Sequence, residues 1–214
     1  MLALMKLYDE GKFALDVTLA NDLPKFNRSN KADIPYRDIL THQARFQPWR
    51  PFWKDMLRRN GSYKWWTIKS DSSARYPIKV ADDMFLHRNY PKKIRKAIRK
   101  SPLLEEKKYV YSDFFFILAP EVVENITGDD FDHYLQENFY DPLGATTLGF
   151  NPDFPKTQIV PTENDYFFRH EPIHGTVHDE GAILLGGVSG HAGLFSNAND
   201  LAKLMQMFLN KGEY

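Results

Sequence analysis

Lys107-Lys108-Tyr109-Val110-Tyr111-Ser112-Asp113-Phe114-Phe115-Phe116-Ile117-Leu118-Ala119-Pro120, running on to Thr127-Gly128, is the stretch on which the reading of this chain turns. The apolar run after Ser112 predicts a helix that stops at Gly128, a residue suited to the left-handed C-terminal cap. Pro120 falls inside that helix and, having no N–H, is expected to kink or shorten it. Tyr111-Ser112-Asp113 stands between two lysines and the helix. Alone, the tripeptide reads as a buried tyrosine followed by a helix cap. A tyrosine acts as a base near neutrality only where cations lower its pKa from about 10.

Working outward, residues 1–10 predict an amphipathic helix stopped by Gly11, with Leu4, Met5 and Tyr8 as its buried stripe. It begins with no preceding loop or cap. Residues 16–34 read as loop and turn, and Pro35 opens a short helix through Ile39 and Leu40. Between 45 and 66, four tryptophans interleave with arginines, a pattern of cations packed on rings or of a groove lining. Asp82–Lys100 reads as a cation-rich helix that Pro91 must interrupt or restart. A further helix covers about Phe131–Tyr140 and closes at Asp141-Pro142-Leu143-Gly144. Residues 145–180 read as a long wrapped loop. The last helix is capped by Ser196 or Asn197, with Asp200 in its first turn and Leu201, Leu204, Met205 and Phe208 as its buried face.

The 214 residues suffice for one domain with a real core, and 14% aromatics argue against disorder. Lys+Arg and Asp+Glu are both 28, so net charge gives no reason to expect nucleic acid or an anionic membrane as partner. Nine cations against two acids between Arg88 and Lys108 could hold a polyanion. The acidic excess from Ala119 to Glu180 offers them a neutralising partner within one fold. No cysteine is present, which excludes disulfides, thiolate metal sites and a cysteine nucleophile. The longest stretch without charged residues, 182–199, holds four glycines and would span a bilayer badly.

Two constellations suggest chemistry by spacing. His170, His174 and His178 recur every four residues beside Asp179 and Glu180, which on a helix would align three imidazoles for zinc. Pro172 and Gly175 break that helix, so no metal site is assigned and no cofactor is expected. Gly187-Val188-Ser189-Gly190-His191 approaches the Gly-x-Ser-x-Gly nucleophile elbow but ends in His, which leaves Ser189 as a small residue in a glycine turn.

Tyr111-Ser112-Asp113, Thr127-Gly128 and Pro142-Leu143-Gly144 together resemble the second signature region of serine hydrolases with the β-lactamase fold: class C β-lactamases, DD-peptidases and related esterases. Leu40-Thr41-His42 is similar to their Leu-Thr-His turn. Gly186–Ser196 with Asp200-Leu201-Ala202 resembles the glycine turn and helix later in that fold. The resemblance is nearest to a branch in which the hydrolase domain follows a glycosidase domain in one polypeptide. It implies an α+β, β-lactamase/DD-peptidase-like fold, present here as residues 1–214 of one partial domain. That part is mostly the helical region, with some of the sheet missing.

The same resemblance assigns Tyr111 as the catalytic proton carrier and Asp113, where the family more often has Asn, as the substrate contact. It implies a small-molecule or peptidoglycan-type substrate and a periplasmic or cell-envelope location. The family chemistry also needs a Ser-x-x-Lys and a Lys/His-Thr/Ser-Gly strand. No Ser-x-x-Lys occurs in the sequence; Ser72-Ser73-Ala74-Arg75 is the nearest, and Arg cannot release its proton as Lys does. The chain therefore reads as a serine-hydrolase domain cut at both ends and inactive by itself. A binding module with the same fold and a metal-dependent hydrolase built on the three histidines are the alternatives.

Overall fold

The computed structural model describes residues 1–213. In chain order it contains helix α1 (Leu2–Asp9), the single turn α2 (Leu19–Asp22), α3 (Tyr36–Leu40), strands β1 (Ile68–Lys69), β2 (Ile78–Ala81) and β3 (Met84–Leu86), then helices α4 (Tyr90–Lys100), α5 (Phe114–Thr127) and α6 (Phe131–Leu135). Strands β4 (Gly149–Phe150), β5 (Glu163–Asn164) and β6 (Pro172–Ile173) follow, then α7 (Glu180–Ile183), β7 (Leu194–Phe195) and α8 (Ala198–Leu209). The content is α+β. The strands form a three-stranded antiparallel sheet in the order β1-β3-β2 and two small antiparallel pairs, β4-β7 and β5-β6.

The core is built on α5. Eight of its fourteen residues are buried, among them Phe114, Phe115, Leu118 and Val122, and α2, α4 and α6 pack against it. A helix apolar nearly all round is stable only when enclosed, and each Phe or Leu so enclosed contributes about 1.5–3 kcal/mol over exposure. Gly128 ends the helix at φ 78°, its N–H on the carbonyl of Glu124. Pro120 does not break α5. The Phe116 carbonyl, which a residue with an N–H at 120 would engage, accepts instead from the N–H of Gly190 at 3.1 Å.

Several sequence expectations are corrected. Residues 82–89 are not helical: Asp82-Asp83 turn the chain into β3, where Leu86 faces both Ile68 and Ile78, and the helix starts only at Tyr90. Pro91 then sits in the first turn, where a missing N–H costs nothing. In α1 the buried side chains are Ala3, Leu4 and Leu7, while Met5 and Tyr8 are exposed. In α8 they are Asp200, Leu204 and Met207, while Leu201, Met205 and Phe208 are exposed. Helix α6 runs on into a wider π-type turn over Gln136–Tyr140.

The stretch 145–180 is more ordered than a plain loop. It is organised by the buried ion pair of Arg169 Nε and Asp165 Oδ2, 2.8 Å apart. Of the cations on α4, Arg95 reaches the acidic half of the chain, at Glu121 (3.2 Å). Trp53 stacks on Phe168 and Lys93 lies over Trp66, whereas Trp49 and Trp65 are exposed; the four tryptophans do not share one groove. No helix among the described residues is long and apolar enough to cross a membrane.

Candidate active site

Two motifs far apart in sequence form one unit ahead of α5. His42, held at φ 57°, accepts the Val110 N–H on its carbonyl (2.9 Å) and the Ser112 N–H on Nδ1 (3.2 Å). The Ser112 hydroxyl donates to the carbonyl of Gln47 (2.6 Å) and accepts from the N–H of Phe114 (3.2 Å), and the Asp113 N–H bonds the carbonyl of Pro48 (3.0 Å). Tyr111-Ser112-Asp113 is thus stitched along its length to the turn that follows Leu40-Thr41-His42. The ring of Tyr111 lies tilted against His42, 4.6 Å between centroids, and is 59% exposed, not buried as the tripeptide alone would suggest.

Asp113 is half-buried. Burial pushes its carboxyl above the ordinary range; His191 and His42 pull it down, and Asp179 pushes it further up. His191 and Asp179 belong to the segment that resembles the glycine turn and to the residue capping α7. His191 Nδ1 lies 2.7 Å from Ser189 Oγ, and Nε2 lies 3.0 Å from Asp179 Oδ1. The same carboxylate oxygen accepts the Ala182 N–H at 2.7 Å, as an N-cap should. Burial alone would raise Asp179, but its bond and charge interaction with His191 and the cap bond bring it below the usual carboxylate value.

Gly181 keeps this corner open: a Cβ would stand 3.1 Å from Asp179 Oδ1 and 3.2 Å from His191 Nε2, tight enough that these side chains would have to shift by a few tenths of an ångström. Asp113, Asp179 and His191 border a gap of about 10 Å³. Asp179 also lines a larger cavity of about 670 Å³ against β7, walled by Ile159, Val177, Leu194 and Phe195. Tyr111 borders neither of the two. Sequence reading named Tyr111, Asp113 and His42 but did not connect Ser189, His191 and Asp179. The available signal was a histidine two residues after the serine of a glycine turn.

The three histidines at 170, 174 and 178 are not gathered into a ligand set. His174 commits Nε2 to the carbonyls of Lys156 and Ile159 (2.7 Å each), and His170 adopts a left-handed turn at φ 57°. Among the described residues, the group able to place three metal-ligand atoms within 4.8 Å of one another is Asp129, His133 and Glu137 on the surface. There, hydrogen bonding to Asp129 raises the proton affinity of His133.

The β-lactamase family profile matches residues 1–214. An Escherichia coli K12 protein named "Putative D-alanyl-D-alanine carboxypeptidase" is 34% identical over 228 aligned residues, which cover 99% of this chain and 48% of that protein. The crystal structure of FmtA from Staphylococcus aureus superposes with a TM-score of 0.62 at 19% identity, over 98% of this chain and 49% of that one. A class C β-lactamase from Rhodobacter sphaeroides gives a TM-score of 0.58 at 17% identity, over 99% of this chain and 48% of its own. At such identities the two structures speak for the fold alone. The chain spans about half the length of the curated relatives it matches and carries about half of the β-lactamase/DD-peptidase fold. The match over its whole length makes this chain a member of the β-lactamase family.

Proposed function

We propose that residues 1–214 are one partial domain supplying the tyrosine-and-acid half of an acyl-transfer centre. That centre opens an ester, amide or β-lactam carbonyl through a serine acyl-enzyme. The observation that carries this reading is the stitching of Tyr111-Ser112-Asp113 to the His42–Pro48 segment at the start of α5. A serine attacks the carbonyl, Tyr111 takes its proton, and the leaving group receives that proton as the acyl-enzyme forms; water reverses the sequence. Asp113 contacts the substrate beside it.

A phenol of ordinary pKa near 10 needs an adjacent cation for this task, the role the family resemblance gives to the lysine of Ser-x-x-Lys. The 214 residues contain no such element, so this chain by itself forms no acyl-enzyme. A D-alanyl peptide of the peptidoglycan type is the favoured substrate, on the name of the E. coli relative. A cell-envelope location and a glycosidase neighbour belong to the same proposal and rest on the family resemblance of the chain as a whole.

The test is labelling with a fluorophosphonate and a fluorescent penicillin. The 214-residue chain should give no adduct; stoichiometric labelling of one of its serines overturns its inactivity. Joined to the segments that complete the relatives' length, it should label at the serine of Ser-x-x-Lys and lose most of that rate with Tyr111→Phe. Undiminished acylation in that variant removes Tyr111 from the mechanism.

A further inference from the structure

The glycine turn is docked on α5 by an exchange that Pro120 makes possible. The carbonyl of Phe116, left free by the proline, takes the N–H of Gly190, and a Cβ at 190 would stand 2.5 Å from that oxygen. Only glycine allows the approach. Ser189 and His191 flank Gly190 and are brought beside the start of α5, next to Asp113. The imidazole is nearly enclosed, with 6% of its side chain exposed, and bonds Ser189 on one nitrogen and Asp179 on the other.

We propose that Asp179, His191 and Ser189 form a proton-sharing chain across the gap from Asp113, which makes His191 a positioning residue for the proton of Asp113. This rests on the reading of Asp113 as the substrate contact. A carboxylate only accepts hydrogen bonds, whereas an amide, the commoner group at this place in the family, also donates; a carboxyl bearing its proton recovers the donor. Burial and the Asp179 carboxylate favour the protonated form of Asp113, and the positive charges of His191 and His42 oppose it. Arg50 is the other charged group bordering the gap.

Of these groups His191 is built to change its charge without moving. When neutral, it donates from Nε2 to Asp179 and accepts the Ser189 hydroxyl on Nδ1. When protonated, it donates from Nδ1 to the same oxygen, whose hydroxyl rotates. Ser189 is 2% exposed and borders neither cavity, so its hydroxyl serves the imidazole and is not presented to a substrate. The gap between His191, Asp113 and Asp179 is at the lower limit for one water, which would carry the proton between them.

The experiment follows the Asp113 carboxyl by 13C NMR in aspartate-labelled protein across the acidic and neutral range, with Asp113→Asn to assign it. His191→Gln removes the positive neighbour that opposes protonation of Asp113 and should raise the proton affinity of Asp113 by about threefold or more. Asp179→Asn removes a negative one and should lower it by a similar factor. Ser189→Ala deprives the protonated Nδ1 of its acceptor and should shift Asp113 in the direction of His191→Gln, by less. Amide spectra identify variants that keep the fold, and Ser189→Ala stands in if His191→Gln does not.

Shifts of one sign in the first two variants, or no shift in a folded variant, overturn the proposal, since a merely structural role predicts no opposed pair. Acylation of the completed polypeptide separates this inference from the functional one. Opposed shifts with acylation indifferent to Asp113→Ala would sink the substrate role and leave the chain standing. Acylation dependent on Asp113 without opposed shifts would sink the chain alone.

Discussion

Replacing Arg169 with Met would test whether the loop that carries Asp179 is held by one buried ion pair. The guanidinium is fully buried and Asp165 is 1% exposed at its side chain. Arg169 donates from Nε to Asp165 (2.8 Å), from Nη1 to the carbonyl of Val177 (2.8 Å) and from Nη2 to that of His178. Met keeps the apolar bulk of the stem and removes all three bonds. Asp165 would retain the N–H groups of Phe167, Phe168 and Arg169 but lose its counter-charge. Breaking a buried pair from one side costs about 3–5 kcal/mol; the three remaining N–H bonds place this case near 3 kcal/mol. For a chain of this size that is a fall in Tm of roughly 6–12 °C.

The penalty should depend on pH. Burial by itself would raise the Asp165 carboxyl, but the bonds from Arg169 and the three backbone N–H groups outweigh it and hold it at about 2. A depressed carboxyl stabilises the fold above its unfolded pKa near 3.9, and that contribution, about 2–3 kcal/mol, is lost as pH falls through the folded value. In Arg169→Met the burial effect prevails, the carboxyl protonates more readily, and acid relieves the stranded charge. Urea unfolding followed by tryptophan fluorescence should therefore show a gap between wild type and variant that is widest at neutral pH and narrows below about pH 3. Asp165→Asn combined with Arg169→Met should cost less than the two changes summed. A neutral-pH loss below about 1 kcal/mol, or a gap that does not change with pH, would refute the reasoning.

Gly190→Ala should cost about 1–3 kcal/mol in thermal melts, because its Cβ meets the Phe116 carbonyl, a backbone atom that cannot swing aside. Lys31 is fully buried, its ammonium on the carbonyl of Ser101 (2.6 Å), and burial lowers its pKa to about 8. An unfolded lysine keeps its proton to about pH 10.4, so between these values the unfolded chain binds more protons and stability rises with pH. The rise is about 3 kcal/mol and should vanish in Lys31→Met; equal pH slopes for the two proteins in urea titrations would exclude it.

What the sequence discloses here is local. Helix α5 was legible because its apolar run, its start after Ser112 and its Gly128 stop lie within seventeen residues. Pro120, expected to kink or shorten the helix, does not shorten it, and the donor that takes the carbonyl it leaves free is Gly190, seventy residues on. Strand β3 looked helical for the same reason: its partners Ile68 and Ile78 are invisible to a window over 82–100. In α1 and α8 the period was right and the phase wrong. Met5 and Phe208, read as core, instead line a shared groove of about 540 Å³ with Leu2, Phe139 and Met207. The apolar stripes exist, but which edge of a stripe is enclosed depends on the surface opposite it.

The site divides along the same line. Tyr111, Asp113 and His42 stand in recognisable triplets, so a linear reading names them. The Ser189–His191–Asp179 chain is assembled from a glycine turn and a helix cap, each of which already has a sufficient structural explanation: Asp179 caps α7, and Ser189 and His191 sit in a turn rich in glycine. Neither explanation accounts for an imidazole bonded at both nitrogens beside the Asp113 carboxyl. Capping needs only the Oδ1 bond to the Ala182 N–H, and the turn needs only Gly187, Gly190 and Gly193. An apolar side chain at 191 would fill the same space without the cost of enclosing a polar ring, so the arrangement is better explained by the proton it can hold than by the fold it completes.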